Sequence, residues 1–324
     1  MGSVPRKHRR SIVPGIYCPT QCFFDPVTED IDLETVAKHA IRLAQAGIVG
    51  ITTNGSNGEA PYLSRDERKL VTSTTRSALD REGFNSTPII VGASAESVRG
   101  TVQLCRDAEE SGGDAVLILV PSFFKWAMTL SIIESYFKQV ADQSPLPVII
   151  YNYPGAVAGI DIDSDLLVTL AGHPNIVGTK FTCGNVGKLA RVAAATKASR
   201  AKGQTTREYY CFSGVADLLA PAVAVGACGA IVGAANVFPK TCVELYNLSV
   251  KGGDTQGIRE LQALLAQGDW SMTKRAVPGF KAFLEKYHGY GGVPRQPMSS
   301  LNQDAKEELY TELMPIVEHE ARLK

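Results

Sequence analysis

The sequence predicts an α/β fold, a (β/α)8 TIM barrel followed by a C-terminal helical appendage. Three observations carry that prediction. Short apolar runs ending in small or polar residues recur eight times along the chain. Segments with the 3.6-residue spacing of amphipathic helices lie between consecutive runs. After the eighth run the alternation stops, and only helical patterns follow. Eight alternations of strand and helix read as a closed parallel barrel, whereas a doubly wound open sheet usually has fewer strands.

Taken in order, the apolar runs cover residues 12–17, 48–52, 89–92, 115–120, 148–151, 176–179, 209–212 and 230–232. Near-continuous apolar runs of this length suit strands buried on both faces. Helical spacing covers residues 31–46, 65–79, 97–110, 130–141 and 185–195 between them. Ser64 followed by Glu67 has the spacing of a capping box, which starts the second of these helices. Beyond the barrel, residues 237–250, 255–266 and 272–287 read as helices without intervening strands. The Gly- and Pro-rich stretch 289–297 reads as a loop before a last helix at 304–321. The resulting division is a flexible basic tail at 1–11, the barrel at 12–237 and a C-terminal helical region at 238–324.

Composition bounds the function. With 324 residues and 44% hydrophobic content, the chain can bury a large core as one α/β domain with an appendage. A formal net charge of zero, without any basic stretch interleaved with aromatics, gives no reason to expect nucleic acid. No apolar run approaches the roughly 20 residues of a membrane span. The seven cysteines are odd in number and sit mostly in apolar segments, as reduced core thiols do, so the cytoplasm is the expected location. Cys18 and Cys22 lack a second pair, so no zinc site is expected. Arg6, Lys7, His8, Arg9 and Arg10 form a basic patch too short for a mitochondrial presequence and read as a solvated tail.

Barrels of this kind build their sites at the C-terminal ends of the strands. Those positions hold Thr20, the Asn54 to Glu59 loop, Ser94, Ser122, Tyr151 to Tyr153, Lys180 to Thr182, Ser213-Gly214 and Ala235-Asn236. Lys180 is the one base of high intrinsic pKa among them. The histidines at 8, 39, 173, 288 and 319 avoid strand ends, so neither a His-based triad nor a metal cluster is expected there. An amine in a dry pocket loses hydration when protonated, which frees it to attack a carbonyl. From position alone, a lysine neutralising a carboxylate at the rim is an equal alternative. Tyr151 on the neighbouring strand end supplies a phenol able to shuttle protons, unless it only covers the barrel mouth. The loop with glycines on either side of Ser56-Asn57 can turn its N–H groups toward an anionic oxygen, although such sequences also occur as ordinary turns. Without a Walker A motif or a supported dinucleotide fingerprint, no cofactor is expected.

Gly55-Ser56-Asn57-Gly58-Glu59 after the second strand, Tyr151-Asn152-Tyr153-Pro154 after the fifth, and Gly178-Thr179-Lys180 on the sixth occur in a telling order. With Phe212-Ser213-Gly214, Gly229-Ala230-Ile231 and Gly291-Gly292-Val293-Pro294-Arg295-Gln296-Pro297, the chain resembles the dihydrodipicolinate synthase and N-acetylneuraminate lyase family over nearly its whole length. The resemblance implies a lysine that forms a Schiff base with pyruvate or another 2-oxo acid, and a homo-oligomer, dimer or tetramer. By position it makes Lys180 the nucleophile and Tyr151 the general acid/base. It gives Ser56 and Asn57 the 2-oxo acid carboxylate and lines the pocket with Ile231. Gly58, Thr182 and Gly214 complete the candidate substrate-binding set.

Two departures bear on the substrate. Ser56-Asn57 stands where the synthases typically have two threonines and is similar to the form in 4-hydroxy-2-oxoglutarate aldolases. Gly155-Ala156-Val157-Ala158-Gly159 lacks the arginine that the synthases use for their second substrate. The resemblance therefore points to a pyruvate-dependent class I aldolase that cleaves or forms a 4-hydroxy-2-oxo acid with an aldehyde as co-product. The alternatives are dihydrodipicolinate synthase, a hydratase-aldolase and a catalytically weak 2-oxo acid binding protein. Phe123 and Phe124 stand where many relatives supply a relay tyrosine across the dimer interface, and with Trp126 they read as an apolar lid or as interface packing.

Overall fold

Residues 9–323 are described by a computed structural model, in which eight parallel strands hydrogen-bond in sequence order and close into one barrel. The strands are β1 Gly15–Pro19, β2 Gly50–Thr53, β3 Ile89–Gly92, β4 Ala115–Leu119, β5 Val148–Asn152, β6 Ile176–Phe181, β7 Tyr210–Ser213 and β8 Gly229–Ile231. The outer helices are α1 Leu33–Gln45, α2 Arg65–Arg81, α3 Val98–Glu110, α4 Leu130–Gln143, α5 Ser164–Ala171, α6 Val186–Ala201, α7 Leu219–Ala224 and α8 Pro239–Lys251. Two longer helices, α9 Thr255–His288 and α10 Gln303–Arg322, pack on each other beyond the barrel. No helix among the described residues is long and apolar enough to cross a membrane.

Strand alternation sorts the core into two layers. Tyr17, Ile90, Leu117, Ile149, Tyr151, Phe212 and Ile231 cluster inside the barrel. The residues between them, such as Cys18, Ile51, Val91, Val116 and Ile150, pack outward against the helices. The lower half of the barrel is plugged. The Tyr17 hydroxyl points back along its strand, donating to Val13 O at 2.9 Å and accepting from Val13 N at 3.0 Å. Its ring meets Phe212 edge to face at 5.3 Å, and a side chain at Gly50 would place Cβ 2.1 Å from that ring. Only the C-terminal end of the barrel is left for polar chemistry.

Local signals act as the sequence predicts where they are strong. Ser64 Oγ accepts from Glu67 N at 3.3 Å and Glu67 Oε2 accepts from Ser64 N at 2.7 Å, which closes the capping box of α2. Elsewhere the structure corrects the boundaries. The sixth strand, whose apolar run covers 176–179 and which is expected to end with Lys180, runs one residue further to Phe181, and Lys180 pairs with Tyr151 and Phe212 on either side. The helices expected at 255–266 and 272–287 are one element through 267–271, and the break falls instead at Ala276, with φ 48° and ψ −144°. Pro278 explains the position, because it lacks an N–H and its ring clashes with the carbonyl four residues earlier in a continuous helix. Gly268 serves packing there, since a Cβ on it would come within 2.9 Å of Ile316 on α10. Most of the basic tail, residues 1–8, lies outside the described residues. Arg10, counted in that tail, is tied to the barrel base through Asp114, Asn85 and Asp80.

Candidate active site

Three lysines among the described residues are almost fully buried, and their partners separate them. Lys188 on α6 pairs with Asp161, and Lys281 on α9 pairs with Glu59 at 2.8 Å. Lys180, 4% exposed, makes no ion pair and no hydrogen bond with a described residue. Its Nζ stands 4.2 Å from the centre of the Tyr151 ring, the neighbour that strand register places beside it. Burial lowers its pKa from the ordinary lysine value to about 7, with only a small opposing pull from the Cys18 thiol. A lysine that neutralises a rim carboxylate, the alternative left open by position, describes Lys188 and Lys281 and not Lys180.

Burial moves Tyr151 the other way, raising its phenol above the usual value. The Ser56 and Thr182 hydroxyls oppose that shift because each can hydrogen-bond the phenolate. In the resting geometry neither is engaged, and Thr182 Oγ1 is buried without a partner. Gly214 explains how that hydroxyl fits: a Cβ there would fall 1.9 Å from Thr182 Oγ1. Tyr153 stacks on Tyr151 with ring centres 5.6 Å apart, adding a second phenol that the motif alone did not assign to the site.

The loop after β2 is shaped by Asn54 and Glu59, both with left-handed φ, 55° and 54°. Asn54 Nδ2 ties it to α2 through Arg68 O at 3.0 Å and Thr72 Oγ1 at 3.1 Å. Gly92 makes room for the turn, since a Cβ there would strike Asn54 O at 1.9 Å. Within the loop, Gly58 N donates to Gly55 O at 3.1 Å, and Glu59 N donates to Ser56 O at 3.2 Å. The Ser56 and Asn57 N–H groups make no such bond with a described residue. Gly58 thus contributes shape, lying where a Cβ would press on Thr20 O at 3.0 Å. Asn57 packs beside Gly233 in the loop after β8.

A cavity of about 290 Å³ opens beside this loop. Ser56 and Tyr151 line it together with the apolar Leu117, Leu119, Ala156 and Met298. Ile231 is fully buried in the inner layer beneath. Lys180 is not among the residues that line it, and meets the cavity only through its neighbour Tyr151. Phe123, Phe124 and Trp126 form a chain of edge-to-face contacts after β4 and are well exposed, at 79%, 55% and 85%. Glu96 shapes that segment by accepting from Ser122 N at 2.8 Å and Phe123 N at 3.0 Å. No group of three or more His, Cys, Asp or Glu among the described residues is placed to hold a metal ion.

Residues 19–315 match the model of the dihydrodipicolinate synthetase family. The chain is 46% identical to an L-threo-3-deoxy-hexylosonate aldolase of Aspergillus niger over 96% of its own length and 97% of the relative's. It is 44% identical to a probable mitochondrial 4-hydroxy-2-oxoglutarate aldolase of Emericella nidulans, over 94% of its length and 96% of the relative's. Among solved structures it resembles a dihydrodipicolinate synthase family protein from Coccidioides immitis. The TM-score is 0.84 at 34% identity, covering 99% of this chain and 100% of the other.

Proposed function

The chain belongs to the dihydrodipicolinate synthetase family, and from that premise we propose that it is a pyruvate-dependent class I aldolase with Lys180 as its Schiff-base nucleophile. The observation that carries the proposal is the contrast among the buried lysines, of which Lys180 alone lacks a carboxylate and faces a phenol. The reaction is cleavage or formation of a 4-hydroxy-2-oxo acid, such as a 2-keto-3-deoxy sugar acid or 4-hydroxy-2-oxoglutarate. The activities named for the Aspergillus and Emericella relatives support that substrate class. The absence of a cation in 155–159 favours it over the synthase reaction.

In this mechanism the substrate carboxylate rests on the free N–H groups of Ser56 and Asn57, which turns C2 toward Lys180. The neutral amine attacks C2, a proton passes from nitrogen to oxygen, and the carbinolamine forms. Tyr151 gives its phenol proton to the departing hydroxyl. Water leaves, an iminium remains, and Tyr151 is now a phenolate. The phenolate takes the C4 hydroxyl proton, C3–C4 breaks with its electron pair flowing to the iminium, and the aldehyde departs. Protonation of the enamine at C3 and hydrolysis return pyruvate and the free amine. Thr182 and Ser56 stabilise the phenolate stage, and Ile231 and Gly214 shape the pocket around it.

The seven free cysteines support a reducing compartment such as the cytoplasm. The exposed Phe123, Phe124 and Trp126 support assembly into a homo-oligomer, dimer or tetramer. The deciding experiment is reductive trapping with pyruvate, which should add one three-carbon acid to the peptide containing Lys180. Absence of that label, or its appearance on Lys188 or Lys281, would sink the proposal.

A further inference from the structure

The carboxylate-binding loop ends on Glu59, a side chain that the chemistry at Lys180 never touches. Glu59 is held in the left-handed region at φ 54°, and its side chain is completely buried. Lys281, itself 1% exposed, brings Nζ to 2.8 Å from Oε1. That approach is off the hydrogen-bond direction, leaving Oε1 with no directed donor, so charge attraction carries the contact. The Lys281 ammonium aims its directed bond at Val293 O, 2.8 Å away, and rests over the Phe24 ring at 4.4 Å. Glu59 Oε2 accepts from Arg295 N at 2.8 Å. The Arg295 guanidinium lies over the same Phe24 ring, 4.4 Å from its centre, and pairs with Glu67 of α2 at 2.6 Å. One carboxylate at the end of the loop thus collects α9 and the glycine-rich 289–297 segment, more than 220 positions away in the chain.

Burying two charges is a poor way to gain stability, because desolvation offsets the attraction and apolar side chains of the same volume often do as well. In some proteins such a pair instead specifies one backbone geometry. We propose that Glu59 and Lys281 are a positioning pair that fixes the Ser56 and Asn57 N–H groups for the 2-oxo acid carboxylate. The C-terminal helical region thereby sets substrate binding inside the barrel. This rests on the aldolase reading above.

The test uses the full chain and the variants Glu59→Gln, Lys281→Met and the double variant. Each single change strands a buried charge and should lower Tm by about 5–10 °C. The double variant removes both charges and should regain most of that loss. Positioning predicts that it nonetheless raises KM for the 4-hydroxy-2-oxo acid about tenfold, while the trapping rate at saturating pyruvate stays within about twofold. A double variant with recovered Tm and wild-type KM overturns the inference, since the pair would then serve stability alone. Should the double variant not fold, Glu59→Asp keeps the charge and withdraws it by one methylene. A KM raised about threefold supports positioning, and an unchanged KM overturns it. Wild-type protein that binds no pyruvate overturns both readings. Normal wild-type trapping beside an unchanged variant KM overturns only this one.

Discussion

Raising the pH from 6 to 8 should speed capture of pyruvate by Lys180 about tenfold, and raising it further should add little, because an amine of pKa about 7 is about 9% free at pH 6 and about 91% free at pH 8. The cause is burial without a counter-charge: the ammonium form lacks both water and a carboxylate, so the neutral form is favoured. The sign is fixed by this, since the nucleophile is the deprotonated form and accumulates as pH rises through the folded-state value. An ordinary lysine near 10.5 would instead gain about a hundredfold over the same interval and about tenfold more by pH 9. Neither Ser56 nor Asn57 titrates, so carboxylate binding stays constant across the range. Burial also keeps Tyr151 protonated. The assay is the rate of cyanoborohydride trapping at saturating pyruvate, read as label on the Lys180 peptide by mass spectrometry. A logarithmic rate that climbs with unit slope through pH 9 refutes the assignment of a burial-lowered amine.

Two substitutions probe the rest of the site. Tyr151→Phe should leave Lys180 able to take the pyruvate label, more slowly, while aldol cleavage falls by about 10²–10⁴; cleavage within about threefold of wild type would remove Tyr151 from the proton path. Gly214→Ala puts a Cβ 1.9 Å from Thr182 Oγ1 and 2.7 Å from its backbone N, so Thr182 must move. Its kcat should fall about tenfold, and Thr182→Ala should cost little more in that background than none at all, because both changes act on one hydroxyl. Additive losses would show that Gly214 and Thr182 act separately.

The barrel was legible because strands buried on both faces leave continuous apolar runs, and because Pro, Gly and capping residues punctuate them. Lys180 was legible because strand ends are few and hold few bases. The strand it ends reads one residue short, because Phe181 keeps the ladder of β6 paired beyond the lysine and no local signal marks where that pairing stops. The break expected between 266 and 272 is absent, and Gly268 in that span serves the close approach of Ile316 from α10, while the kink at Ala276 comes from Pro278 two residues on. Lys281 was invisible for a different reason. In an amphipathic helix a lysine reads as solvated, and only the distant Glu59 and Val293 reveal that it is buried and paired. Gly58 was assigned to ligand binding from its place in the motif. The hydrogen bond of its N–H to Gly55 O shows it shaping the turn, which periodicity and motif spacing cannot display.

One environment serves two opposed steps because the charge in it changes between them. In the resting site burial lowers Lys180 and raises Tyr151, so near pH 7 the phenol is neutral and about half of the amine is free for attack. Once the iminium forms, a fixed positive charge stands where the neutral amine stood, 4.2 Å from the Tyr151 ring. A positive charge so near the ring stabilises the phenolate over the phenol and so raises the acidity of Tyr151. The unpartnered Thr182 hydroxyl adds a donor that binds the phenolate more strongly than the phenol. In the proposed mechanism Tyr151 is therefore an acid before the iminium exists and a base afterwards, without any second titrating residue. A relay tyrosine at Phe123 or Phe124 is not needed for that switch. The aromatic segment after β4 is free to serve as a lid or a contact between subunits, as its exposure allows.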